Sequence, residues 1–158
     1  MSRIVVEAIL TIASVLASTT FVAAILPQIS LMDQSYRSAM ISMKDRIGTQ
    51  IEIIFSINSS SSTVKVWIKN IGATPIDVRQ IPLANLFFGK VNEAQMIDYG
   101  DTPPCWNFSL TNGDDDNRWE PNETLEITIY LNYTLDSGDY YVLFVTYNGV
   151  RDDYIFSI

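Results

Sequence analysis

Apolar residues follow three successive patterns along this chain. From Ala8 to Leu26 the run is uncharged and apolar side chains dominate it. Its roughly 19 residues would make about 28 Å of helix, close to the thickness of a bilayer's hydrocarbon layer. Beyond Pro27, apolar residues recur every third or fourth position, at Ile29, Met32, Tyr36, Met40, Met43 and Ile47, with Asp33, Arg37, Lys44 and Arg46 between them. That spacing predicts an amphipathic helix. Pro27 is expected to punctuate the helix where the membrane ends, and Gly48 to close it.

From Ile51 the period becomes that of extended chain. Strands are predicted over 51–57, 63–69, 83–88, 124–134, 140–147 and 154–158, all rich in Ile, Val, Thr, Tyr and Phe. Val64, Val66 and Ile68 alternate with Lys65, Trp67 and Lys69, and Leu125, Ile127, Ile129 and Leu131 alternate with Glu126, Thr128 and Tyr130. Turns fall at 58–62, 70–75, 136–139 and 148–152. Strands with regular turns and no helices between them predict an all-β, immunoglobulin-like antiparallel sandwich, preceded by a long N-terminal helix that is transmembrane and then amphipathic. The expected divisions are 1–27 for the transmembrane helix, 28–50 for the linking helix and 51–158 for an extracytoplasmic β-sandwich. About 110 residues suffice for one compact core.

The N-terminal run has a rival in a cleaved signal peptide. The run exceeds the ~7–15 residues of a signal core, Glu7 interrupts the basic start, and Ala23-Ala24 offers only a weak cleavage site, so a retained anchor is expected. Within it, Glu7, Thr11, Ser14 and Ser18 are spaced by four, three and four residues and share one face. Small hydroxylated side chains let membrane helices approach and hydrogen-bond across the contact; the alternative is that each hydroxyl bonds its own helix. Glu7 at the membrane edge either reaches water or pairs with a cation, such as another subunit's N-terminal amine. The stripe Ile29, Met32, Tyr36, Met40, Met43 and Ile47 wants a partner, either the same stripe on another copy or the chain's own β domain.

Charge and composition narrow the function. The net charge of −8 argues against nucleic acid. The chain has no His and a single cysteine, Cys105, which excludes an internal disulfide framework and the usual zinc sites; Cys105 is expected to be buried rather than paired between chains. Without His there is no nucleophile–His pair, so no enzyme, cofactor or small-molecule substrate is expected. Asn58, Asn107, Asn122 and Asn132 each begin an Asn-X-Ser/Thr sequon, making them candidate glycosylation sites on a domain outside the cytoplasm. Asp114-Asp115-Asp116 reads as a solvated hairpin tip, with a calcium loop as the alternative. Trp106 and Trp119, which frame that loop, either fill a core or stack on sugars, the latter implying a surface adhesin.

The apolar helix with its early Glu7, the linking helix, then Ile51-Glu52-Ile53-Ile54 and Val66-Trp67-Ile68-Lys69-Asn70-Ile71-Gly72 resemble the archaeal flagellin superfamily, in which a strand ending Lys-Asn-x-Gly recurs. Lys69, Asn70 and Gly72 carry that motif here. The chain looks most similar to the accessory, stator-type members of the superfamily, because Met1-Ser2-Arg3 is expected to leave no basic leader of the filament-subunit kind. The resemblance implies a membrane-anchored structural protein tying the archaellum motor to the surface layer, with a homo-oligomer and other archaellum or surface-layer proteins as partners. The alternative is a filament-forming archaellin or pilin. If Arg3 were the first residue, Glu7 would stand fifth, where pilins place their Glu, and the protein would then lie in an extracellular filament.

Overall fold

The structure is a computed structural model describing residues 2–111 and 116–158. It separates into two units, residues 1–43 and 44–158. The first is helical. One helix, α1 (Ser2–Gly48), takes in both predicted helical segments, and Pro27 lies inside it without ending it. A proline inside a helix removes one backbone hydrogen bond, a loss that membrane-spanning helices tolerate. Gly48 is its last residue, as expected. None of its described residues is buried, and it is the one described helix long and apolar enough to cross a membrane.

The second unit holds the strands β1 (Ile51–Ser60), β2 (Thr63–Asn70), β3 (Ile76–Asp77), β4 (Asn85–Lys90), β5 (Gln95–Tyr99), β6 (Cys105–Leu110), β7 (Arg118–Trp119), β8 (Thr124–Tyr130), β9 (Asp139–Val145) and β10 (Arg151–Ser157). The main sheet runs β1-β2-β8-β6-β5-β4-β9-β10, with β3 and β7 as a small separate ribbon. Pairings are antiparallel except β5 with β6, which run parallel over Asp98↔Cys105 and Tyr99↔Trp106. Strand β5 also pairs antiparallel with β4, so it turns the corner between the layer containing β1, β2, β8 and β6 and the layer containing β4, β9 and β10.

The core follows from the alternation. Val64, Val66 and Ile68 of β2 and Leu125, Ile127 and Ile129 of β8 are fully buried, in register with each other. From the other layer come Leu86, Phe88, Val142 and Phe144, and the Trp106 ring meets Phe144 edge-on at 5.9 Å. On the opposite face of the first layer, Lys65 Nζ donates to Glu126 Oε1 at 2.6 Å. The hydroxyl of Tyr140, at the start of β9, donates to Asp136 O four residues back in the preceding loop, like the tyrosine corner of immunoglobulin-like sandwiches.

Several boundaries differ from the sequence expectation. Residues Val78–Leu83 form a 3-10 turn, capped by the Asp77 carboxylate accepting from Arg79 N–H, so β4 starts at Asn85 rather than 83. Strand β8 ends at Tyr130 because Leu131 and Leu135 N–H turn away to donate to Ser62 O and Ser61 O. The strands β5 and β6 were absent from the expectation altogether. In β6, Trp106, Phe108 and Leu110 alternate with Asn107 and Ser109, but Pro103-Pro104 and the acidic stretch around it obscure that short pattern.

Candidate functional site: the helix exit and the sheet edges

The Lys69-Asn70-x-Gly72 motif lies where the chain leaves α1. Asn70 is the last residue of β2 and is fully buried. Its Nδ2 donates to Thr74 O at 3.1 Å and Trp119 O at 2.9 Å, and its Oδ1 accepts from Gly72 N–H at 3.0 Å. Its backbone closes onto the β7–β8 turn, donating to Glu123 O and accepting from Asn122 N–H. One side chain therefore ties together three segments.

The turn that Asn70 shapes backs onto the helix end. Ile71 and Gly72 N–H both donate to Gln50 O at 2.9 Å, while Ala73 and Thr74 N–H donate to Gly48 O at 2.8 and 3.0 Å. Gly48 O is a carbonyl the helix cannot satisfy itself, so the turn caps the helix C-terminus. Gly72 is required for the approach: a Cβ would stand 2.5 Å from Gln50 N, 3.1 Å from Thr49 C and closer still to Gly48 O. Lys69, half-buried, faces Glu52 across β1 and β2.

The β9–β10 turn grips the same segment from another direction. Thr49 Oγ1 donates to Asp45 O at 2.7 Å, and Asn148 Nδ2 donates to Thr49 Oγ1 at 2.9 Å and Asp45 O at 3.5 Å. Asn148 Oδ1 is held by the Thr146 hydroxyl at 2.7 Å. Asp152, an inward position of β10, accepts from Ile53 N–H of β1 at 2.6 Å. Sequence reasoning did not single out Thr49, Asn148 or Asp152; Asn148-Gly149 was legible only as a turn.

The two ends of the sheet order are β1 and β10. Tyr154–Ile158, at the end of β10, thus stands at an edge, but Tyr154, Phe156 and Ile158 also pack on the core, with the Phe156 ring 6.4 Å from that of Phe88. On β1, Ile54, Phe55 and Ile57 are exposed, and Phe55 stacks on Trp67 at 5.7 Å.

In the helix, Thr11 Oγ1 donates to Glu7 O, Ser14 Oγ to Thr11 O at 2.9 Å and Ser18 Oγ to Ser14 O at 2.8 Å. The hydroxyl protons of Thr11, Ser14 and Ser18 are thus bonded within the helix, which leaves their small size and oxygen lone pairs, with the Glu7 carboxyl group on the same face, for any contact between helices. Ile29, Met32, Tyr36, Met40, Met43 and Ile47 are all exposed, and Arg37 pairs with Asp33 at 2.8 Å beside them.

Trp106 and Trp119 are completely buried, and Trp119 Nε1 donates to Glu123 O at 3.0 Å. Stacking on sugars needs an open ring face, so the adhesin reading built on these residues is corrected: both fill the core. Asp114 and Asp115 lie outside the described residues, and with them the calcium-loop reading. Of the sequons, Asn58, Asn122 and Asn132 are exposed, whereas Asn107 sits half-buried in β6 with its Oδ1 accepting from Phe108 N–H. Cys105 is buried, and that burial, with Asp101 nearby, pushes its thiol pKa up.

Comparison with known proteins identifies the class. Residues 5–156 match the archaeal-type flagellin family, and the chain belongs to that family. It is 32% identical over 163 residues, 98% of each chain, to an uncharacterised protein of Archaeoglobus fulgidus. Among solved structures it is similar to the archaellum periplasmic stator protein FlaG of Sulfolobus acidocaldarius, with a TM-score of 0.60 and 30% identity over 68% of this chain and 99% of that one. It is likewise similar to a chain in the complex of the stator proteins FlaF and FlaG from that organism, with a TM-score of 0.59 and 31% identity over 68% and 89% of the chains. The protein is thus archaellum-related and stator-like, with structural proteins rather than enzymes as its relatives.

Proposed function

We propose that the protein is a membrane-anchored stator element of the archaellum. Arg3 lies on the cytoplasmic side, Ala8–Leu26 crosses the bilayer, residues 28–50 link outward, and the sandwich stands outside the cytoplasm. There it holds to copies of itself, to other archaellum proteins and to the surface layer. The observation that carries this reading is the family match over residues 5–156, which takes in apolar helix and sandwich together, joined to the likeness to FlaG at 30% identity. A stationary part needs attachment at two ends and no reaction centre. The anchor supplies one end, and the exposed faces of the sandwich supply the other.

Smaller assignments follow from that reading. Glu7, Thr11, Ser14 and Ser18 face neighbouring membrane helices, and the stripe from Ile29 to Ile47 pairs with its counterpart on another copy. Exposed Asn58, Asn122 and Asn132 accept glycans, and Asn107, held within β6, does not. A filament subunit is the second reading, favoured by the position of Glu7, fifth when Arg3 is counted as the first residue.

Amine-reactive cross-linking of native membranes tests the proposal, since Lys65, Lys69 and Lys90 label the sandwich. The stator reading predicts links from these lysines to surface-layer or archaellum motor proteins in the membrane fraction. Links found solely between copies within sheared filaments would replace it with the filament reading.

A further inference from the structure

The edge strand β1 follows directly on the helix, so any pull on the anchor reaches the sandwich through residues 48–51. An edge strand hydrogen-bonds one neighbour only, and a pull at its end would peel it from that neighbour rung by rung. Ladder bonds tie β1 to β2 alone, because among the described residues no ladder joins it to β10 at the open corner of the sandwich. Within the unit 44–158, however, the beginning of β1 is held from both flanks. The 71–74 turn supplies four amide bonds to Gly48 O and Gln50 O on one side. On the other, Asn148 holds Thr49 and Asp45, and Asp152 holds the Ile53 amide. Asn148 and Asp152 both belong to the β9–β10 hairpin.

We infer that the β9–β10 hairpin is a brace, with Asn148 and Asp152 as its contacts, that makes the start of β1 a two-sided strand where load enters the sandwich. The placement carries the inference. A carboxylate at an inward edge position would ordinarily serve to block unwanted strand addition, yet Asp152 is spent on an amide of the other edge strand, at the second inward residue after the helix exit. A carboxylate accepting a backbone N–H is among the stronger hydrogen bonds, and Ile53 is otherwise a buried core residue with little freedom to follow a peeling strand. The brace therefore spreads force from β1 into β9, which is central to the second layer through its pairing with β4. The stator reading supplies the source of the load; the brace itself is a property of the folded chain.

Optical-trap unfolding of the full chain in detergent micelles, along two axes, tests it. Handles at Ser2 and Asn92 load β1 through the helix, whereas handles at Asn92 and Asn122 leave β1 unloaded at first. Asp152→Ala should speed opening along the helix axis by about tenfold or more at equal load, the worth of one hydrogen bond to a charged group. Along the second axis the change should be small. Asn148→Asp, which keeps the acceptor for Thr146 and loses the donor to Thr49, should act in the same direction, and Asp152→Asn should recover part of the loss. If Asp152→Ala does not fold, Asn148→Asp carries the test. Equal weakening along both axes, or none along the helix axis, overturns the brace and leaves the stator assignment standing; cross-links confined to filaments would overturn that assignment and leave the brace.

Discussion

Replacing Asn70 with Ala probes the family motif at its centre. The substitution removes both Nδ2 donations, to Thr74 O and Trp119 O, and the Oδ1 that accepts from Gly72 N–H. At about 1 kcal/mol for each bond, and with the partners left in a fully buried site, the expected loss is about 3–4 kcal/mol. That is a large share of the 5–15 kcal/mol of a typical domain, and corresponds to a fall in Tm on the order of 15 °C. Asn70→Asp should cost at least as much, since it keeps one acceptor, loses the donors and buries a charge. The assay is chemical unfolding of the full chain in detergent followed by tryptophan fluorescence, because buried Trp119 lies beside Asn70. A loss below about 1 kcal/mol for Asn70→Ala would refute the claim that this side chain ties the three segments together.

Further outcomes are expected from other positions. Gly72→Ala must push the 71–74 turn off Gly48 O and Gln50 O, costing about 2–3 kcal/mol as two or more of four bonds are lost; hydrogen exchange should show faster exchange at residues 71–74 than in β8, and unchanged exchange there would count against the tight approach. Removing Tyr154–Ile158 strips three side chains from the core, so circular dichroism should show an unfolded product, whereas a folded monomer that no longer assembles would mean this segment serves contacts alone. Burial raises the pKa of Cys105 and of Tyr133, Tyr141 and Tyr147, so the folded state favours their protonated forms. Unfolded, these groups ionise from about pH 8.5 for Cys and about pH 10 for Tyr, so stability is fully present below that window and falls as pH rises through it. A urea midpoint that rises between pH 8 and 10.5 would contradict the sign, as would rapid alkylation of Cys105 in the folded protein.

Legibility in the sequence followed the physics of each element. Strands β2 and β8 were plain because Val64, Val66 and Ile68 face Leu125, Ile127 and Ile129 in a layer with one dry and one wet face, the arrangement that writes itself as strict alternation. Strand β5 was hidden because it joins two layers and pairs on both sides over few residues, leaving a mixed pattern with only Ile97 buried. The Asn70 and Gly72 motif was visible as a resemblance, but its purpose was not. What it does depends on the helix exit, more than twenty residues earlier in the chain, and on Trp119, almost fifty residues later. Asp152 was equally silent, since an acid in a hairpin reads as solvated until its partner amide 99 residues away is known. The tryptophans misled in the opposite direction: flanking an acidic loop, they looked available for sugars, while the ribbon of β3 and β7 and the parallel β5–β6 pair fold them inward.

The central claim is that the chain stays in the membrane as a fixed part of the motility apparatus. Intact mass and N-terminal sequence of the native protein, taken separately from membranes and from sheared surface filaments, test it most directly. The account predicts a protein confined to membranes that retains residues upstream of Arg3, with any added sugar mass on peptides containing Asn58, Asn122 or Asn132. A chain beginning at Arg3 and recovered in the filaments would contradict it and make the protein a filament subunit.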